Sequence, residues 1–306
     1  MSFGLNRSEL SVPGNDLRKI EKALSLDVDA IFLDLEDSVA PNQKDTARAV
    51  VGEALSRFEW GRLPRAVRVN GIGTRWCYAD LIAVIAGADH SVDKVVVPKV
   101  RSAGDIAFID RLLSQLEQQI GRSEPIRIEV QIEDAAGLMA IREIAQASGR
   151  ISELTFGQGD FAAATGMPAA GIGVADQWDA AAKGDRWLFP RQTIVFAAKA
   201  VGLRAVNGPY AAFQDHQGFL DYCRMSRAIG FAGVWCIHPD QIEIANETFA
   251  PTPDEVEQAK ATVAALDEGW SDSRGAVSHD SVMIDEASVR MARSILDAAS
   301  QIAQRE

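Results

Sequence analysis

The chain has 306 residues, a length that fits two ordinary domains or one large barrel with an appendage. With 47% hydrophobic and 24% charged residues it is neither disordered, collagen-like nor a disulfide scaffold. The net charge of −12 disfavours loose binding to nucleic acid or anionic membrane, because a summed negative field repels phosphate, yet 14 acidic and 5 basic side chains fall in residues 239–306, leaving 29 and 26 elsewhere.

In chain order, short apolar or β-branched runs predict strands at Glu9–Val12, Ala30–Glu36, Arg65–Asn70, Lys94–Lys99, Ile126–Glu133, Glu153–Gly157, Arg204–Asn207 and Gly233–His238. Between them lie helical stripes such as Leu17-Ile20-Leu24, Ala47-Val50-Val51-Ala54-Leu55 and Ile106-Ile109-Leu112-Leu113-Leu116. Eight alternations of strand and helix predict a TIM (β/α)8 barrel rather than an open Rossmann sheet. Val12-Pro13-Gly14-Asn15-Asp16 after the first strand is not the glycine-rich dinucleotide fingerprint.

Beyond the eighth strand, Pro253 opens a helix to about Leu266, Gly269–Ser281 reads as a loop, and Asp285–Ala303 carries Ala287-Met291-Ile295-Ala298-Ala299 on one helical face. The expected division is a barrel over 1–250 and a C-terminal helical extension over 251–306. No signal-type apolar stretch opens the chain and no run reaches the roughly 18 apolar residues of a membrane span, so a cytoplasmic location is expected. Cys77, Cys223 and Cys236 lack CxxC spacing and read as reduced and buried.

A barrel places its chemistry at the C-terminal ends of its strands. Those ends are polar: Asp34-Leu35-Glu36-Asp37, Arg68-Val69-Asn70, Pro98-Lys99, Glu129-Val130-Gln131-Ile132-Glu133 and Gly157-Gln158-Gly159-Asp160. Strand alternation turns Ile126, Ile128, Val130 and Ile132 outward and Arg127, Glu129, Gln131 and Glu133 inward, and likewise Arg68 and Asn70 inward. Glu133 and Asp160 would then lie on neighbouring strands, where two carboxylates repel unless a cation or proton intervenes. A hard divalent ion, Mg²⁺ above all, suits them; the alternatives are solvated loop-edge acids or partners of Arg68. Arg68 itself could instead form a structural ion pair with Glu36 or Asp37, and Lys22 could be a plain surface lysine. His90, His216, His238 and His279 show no zinc-type pairing, and no GxSxG elbow, P-loop or CxxC pair occurs.

Read together, these residues resemble the citrate lyase β-subunit-like (HpcH/HpaI aldolase) superfamily, and within it the malyl-CoA/β-methylmalyl-CoA lyases. The resemblance covers nearly the whole chain. It is carried by Asn6-Arg7-Ser8-Glu9-Leu10, Glu21-Lys22-Ala23, Phe32-Leu33-Asp34-Leu35-Glu36-Asp37-Ser38-Val39-Ala40-Pro41, Val67-Arg68-Val69-Asn70-Gly71, Val97-Pro98-Lys99-Val100, Ile132-Glu133, Asp160-Phe161-Ala162-Ala163, Trp235-Cys236-Ile237-His238-Pro239 and Val282-Met283-Ile284-Asp285-Glu286. Asn207-Gly208-Pro209 departs from it, standing where relatives usually have Asp-Gly-Pro.

The resemblance implies a TIM barrel with an added helical segment that cleaves a 3-hydroxyacyl-CoA reversibly to an acyl-CoA and a 2-oxoacid, glyoxylate or pyruvate. It implies Mg²⁺ on Glu133 and Asp160, and substrate contacts at Arg68, Lys22, Glu36 and Asp37. Arg68 would hold substrate oxygens. Asp285 would be a catalytic acid that closes over the site, often that of a neighbouring subunit, and assembly would be a homotrimer or homohexamer. Rival expectations are citramalyl-CoA cleavage, malyl-CoA thioester hydrolysis, a citrate lyase β-subunit role, or an inactive binding subunit.

Overall fold

The computed structural model describes residues 5–87, 92–271, 275–279 and 282–305; His90 lies outside them. Eight strands follow one another: β1 (Ser8–Pro13), β2 (Ala30–Asp34), β3 (Arg65–Arg68), β4 (Lys94–Val97), β5 (Arg127–Ile132), β6 (Ile151–Phe156), β7 (Arg204–Asn207) and β8 (Gly233–Cys236). Each pairs parallel with the next, and β8 returns to β1 with Val234 opposite Ser8, so the ring closes. This is the TIM (β/α)8 barrel that the alternation predicts.

The intervening helices form where the stripes lie. Helix Ala103–Ile120 opens on a capping box of Ser102 and Asp105, closes at Gly121 with φ of 71°, and buries Ile106, Ile109, Leu113 and Leu116. Burying one such side chain contributes about 1.5–3 kcal/mol. Several strands stop short of their expected ends. β2 does so because the Asp34 carboxylate accepts the N–H groups of Glu36 at 2.8 Å and Ser38 at 3.0 Å, which turns the chain out of the ladder.

The barrel interior is layered. At the floor, Lys94 Nζ stands 2.6 Å from Glu9, 2.6 Å from Glu129 and 2.8 Å from Glu153. The Glu129 carboxylate also accepts from Thr155 at 2.7 Å and Trp235 Nε1 at 3.1 Å. Partners on β4, β6 and β8 can meet Glu129 together only inside the barrel, as the alternation of β5 requires. Phe32, Ala66, Val96, Val206 and Trp235 form an apolar cluster within the ring.

The described chain divides into two compact units, residues 6–246 and residues 247–305 with Leu5. In the second, helices Pro253–Ser271 and Glu286–Ala303 pack together over Leu266, Ile284 and Val289. The stretch expected to be a loop, Gly269–Ser281, begins inside the preceding helix, which runs to Ser271, and contains β9 (Val277–His279), antiparallel to β10 (Val282–Ile284) just beyond it. The last helix turns Val289 and Ala292 inward, whereas Met291, expected on the apolar face, is 66% exposed. No helix among the described residues is long and apolar enough to cross a membrane.

Candidate active site

Arg68 ends β3 pointing into the barrel, directly across the ladder from Asp34 on β2. The pair is bidentate, with Arg68 Nε donating to Asp34 Oδ1 at 2.7 Å and a terminal nitrogen to Oδ2 at 2.8 Å. Glu36 and Asp37, the partners weighed from sequence, stand further off at 3.3 and 3.6 Å. The guanidinium also lies over the rings of Phe32 and Trp235, 5.6 and 5.5 Å from their centroids. Burial alone would push the Asp34 carboxyl up, but the charge and hydrogen bonds of Arg68, with those of Ser38 and the Glu36 amide, hold it at about 2.

Above this pair opens a cavity of about 760 Å³ whose lining includes Asp34, Arg68, Gln131, Glu133, Asp160 and Trp235. Glu133 follows β5 and is 2% exposed; Asp160 sits in the first turn of helix Gln158–Thr165, not on the strand itself. Gly157 lets the two segments close up, because a Cβ there would stand 2.5 Å from Glu133 Oε1. Burial pushes the Glu133 carboxyl well up, and the charges of Glu36 and Asp160 add to this while Lys99 and Arg68 oppose. Burial likewise raises Glu36, to about 7, against the pull of Arg68 and Lys99.

Lys99, which the sequence left without a role, joins these groups. Its N–H donates to Glu133 Oε2 at 2.9 Å and its ammonium to Glu36 Oε1 at 2.5 Å. Lys44 Nζ donates to the carbonyls of Leu35 and Glu36, each at 2.7 Å. Asp34 was also missed: it was visible in the polar end of the second strand, but its partner depends on cross-strand register. Asn70, though placed inward by alternation, turns to helix Cys77–Ala86, where it donates to Asp80 at 2.7 Å and to the Leu35 carbonyl at 2.9 Å.

Two candidates remain. Lys22 is exposed on helix Leu17–Leu24. Asp285 belongs to the C-terminal unit, where it caps helix Glu286–Ala303 by accepting the Ser288 N–H at 3.0 Å and hydroxyl at 3.1 Å. The Ser288 amide and hydroxyl hold its carboxyl below the ordinary value. Asn207 keeps its loop closed by donating to Ser226 at 2.8 Å and accepting the Gly208 N–H at 3.0 Å.

The mouth suits a hard divalent ion. Asp34, Glu36, Asp37, Glu133 and Asp160 outnumber Arg68, Lys44 and Lys99, and Gln131 Oε1 is a buried acceptor with no hydrogen-bond partner among the described residues. A second acidic cluster, Glu9, Glu129 and Glu153, has carboxylate oxygens within 4.8 Å of one another, a spacing compatible with a metal. The Lys94 ammonium already stands among all three, so the floor has its cation.

A closed parallel barrel whose carboxylates and an arginine converge at the C-terminal ends of the strands has the architecture of a barrel enzyme. The chain belongs to the HpcH/HpaI aldolase/citrate lyase family, whose model matches residues 7–239. It is 36% identical over 308 residues to an L-malyl-CoA/β-methylmalyl-CoA lyase of Cereibacter sphaeroides, covering 97% of this chain and 95% of the relative. A (3S)-malyl-CoA thioesterase of the same species is 35% identical over 305 residues, covering 97% and 95%. Among solved structures, CitE of Mycobacterium tuberculosis in complex with magnesium, acetoacetate and coenzyme A aligns with a TM-score of 0.77 at 26% identity, covering 97% of this chain and 98% of that one.

Proposed function

We propose that this protein is a Mg²⁺-dependent carbon–carbon lyase that reversibly cleaves a malyl-CoA or β-methylmalyl-CoA type of 3-hydroxyacyl-CoA to an acyl-CoA and glyoxylate. The observation that carries the reading is the convergence of Glu133, Asp160 and the Asp34-clamped Arg68 on one cavity. It accords with the names of the relatives and with the magnesium and coenzyme A of the CitE complex.

Glu133 and Asp160 are the residues that would hold the ion, which when bound would make a 2-oxoacid carbonyl electrophilic. Arg68, fixed by two hydrogen bonds and two rings, offers its remaining N–H groups to the oxygen on which charge develops, with no rearrangement needed at that moment. Glu36 and Asp37 hold the outer side of that guanidinium, and Lys22 is assigned to CoA. Asp285 is assigned the proton exchange at the α-carbon of the acyl-CoA, taking the proton in condensation and returning it in cleavage. A homotrimer or homohexamer and a cytoplasmic location complete the reading; three buried cysteines without disulfides are in keeping with a reducing compartment.

The resemblance to the thioesterase favours a second reading, hydrolysis at the same site. Product analysis on malyl-CoA separates them. Lyase action releases glyoxylate and acetyl-CoA with no free CoA and stops with a chelator, whereas free CoA and malate without glyoxylate would establish hydrolysis. The same assay tests the proton-transfer role, since Asp285→Ala retaining near-parental cleavage would remove that assignment.

A further inference from the structure

Lys99 touches four acids of the mouth. Beside the hydrogen bonds to Glu133 and Glu36, its ammonium lies 3.3 Å from Asp160 Oδ2 and 3.5 Å from Asp37 Oδ1. Its backbone has φ of 55°, and among the described non-glycine residues only Lys183 shares a positive φ. An L side chain rarely adopts that region, and it persists where the surroundings hold it. Here the surroundings are identifiable. The left-handed turn after Val97-Pro98 aims the Lys99 N–H at Glu133 just beyond the end of β5, and the side-chain stem lies over Gly71, whose missing Cβ would stand 3.6 Å from the Lys99 Cδ.

We propose that Lys99 is a positioning residue of the cation site: its main chain fixes Glu133, and its ammonium group balances Glu36, Asp37 and Asp160 until an entering divalent ion displaces it from Asp160. The inference rests on the cation reading of the mouth. An ammonium and a divalent ion cannot share Asp160 at close range without strong repulsion, and the half-exposed lysine stem has room to retreat while keeping Glu36 and Asp37 as partners. The lysine therefore keeps the acidic mouth assembled without the ion, at the cost of ion affinity. The main-chain hydrogen bond to Glu133 serves both states.

The test is Mn²⁺ titration of the full chain, reading free Mn²⁺ by electron paramagnetic resonance. Lys99→Met removes the charge and keeps the stem and N–H; Lys99→Gly also removes the side-chain strain. Both variants are expected to bind Mn²⁺ about tenfold tighter than the parent, the effect of deleting one nearby like charge. Unchanged or weaker binding in the folded variants, beside a parent that binds one ion, overturns the inference and leaves the cation reading standing. A parent that binds no Mn²⁺ overturns the cation reading and the inference with it.

Discussion

Arg68 gains its direction from Asp34. Both oxygens of that fully buried carboxylate are taken by the guanidinium, and they also receive two main-chain N–H groups of the turn after β2. Removing one partner of such a buried pair leaves the other charge poorly compensated, so Asp34→Asn is expected to destabilise the protein by about 3–5 kcal/mol at pH 7. The pH-dependent part follows from a carboxyl lowered from 3.8 to about 2. A depressed acid stabilises the folded state above its unfolded pKa, and that contribution, on the order of 2 kcal/mol, is lost as pH falls from about 4 towards 2. Urea unfolding of parent and variant at pH 7, 4 and 3 checks this: their difference should shrink with acidification, and a constant difference would contradict it. The candidate acids were legible in the sequence because the barrel rule and strand alternation single out strand ends. Asp34 and Lys99 were not, because the first depends on which residue faces Arg68 across the ladder and the second on a backbone conformation that no residue type signals.

The barrel floor ties five strands into one electrostatic unit. Lys94 on β4 meets Glu9 on β1, Glu129 on β5 and Glu153 on β6, while Arg204 on β7 pairs with Glu153. Burial pushes Glu129 well up, helped by the charge of Glu9, whereas Arg204 and Lys94 outweigh burial at Glu153 and hold it low. Lys94→Met takes the ammonium away from Glu9 and Glu129 and leaves Glu153 with Arg204, and a loss of about 3–5 kcal/mol in urea unfolding is expected; parental stability would show that the carboxylates simply take up protons. The eight strands themselves were legible because each is a compact apolar run between helical stripes. The β9–β10 hairpin was not, because three-residue strands are too short to establish alternation. The inward face of the last helix was misread by choosing Met291 over Val289, since periodicity names candidate faces while packing selects one.

Across the whole chain, acidity is a matter of placement. The excess of acidic over basic side chains lies mostly in residues 239–306, so a net charge of −12 does not bar an anionic substrate from the barrel. Within residues 6–246 the acids form two clusters with different fates, one around Lys94 at the floor and one open to a cavity at the mouth. On the proposed reading the divalent ion sits at the mouth. Calorimetric titration of Mg²⁺ into the parent, Glu133→Gln, Asp160→Asn and Glu9→Gln proteins tests that assignment directly. One ion per chain in the parent and in Glu9→Gln, with binding lost in Glu133→Gln and Asp160→Asn, is the result predicted; binding that survives both mouth substitutions and disappears in a folded Glu9→Gln protein would contradict it.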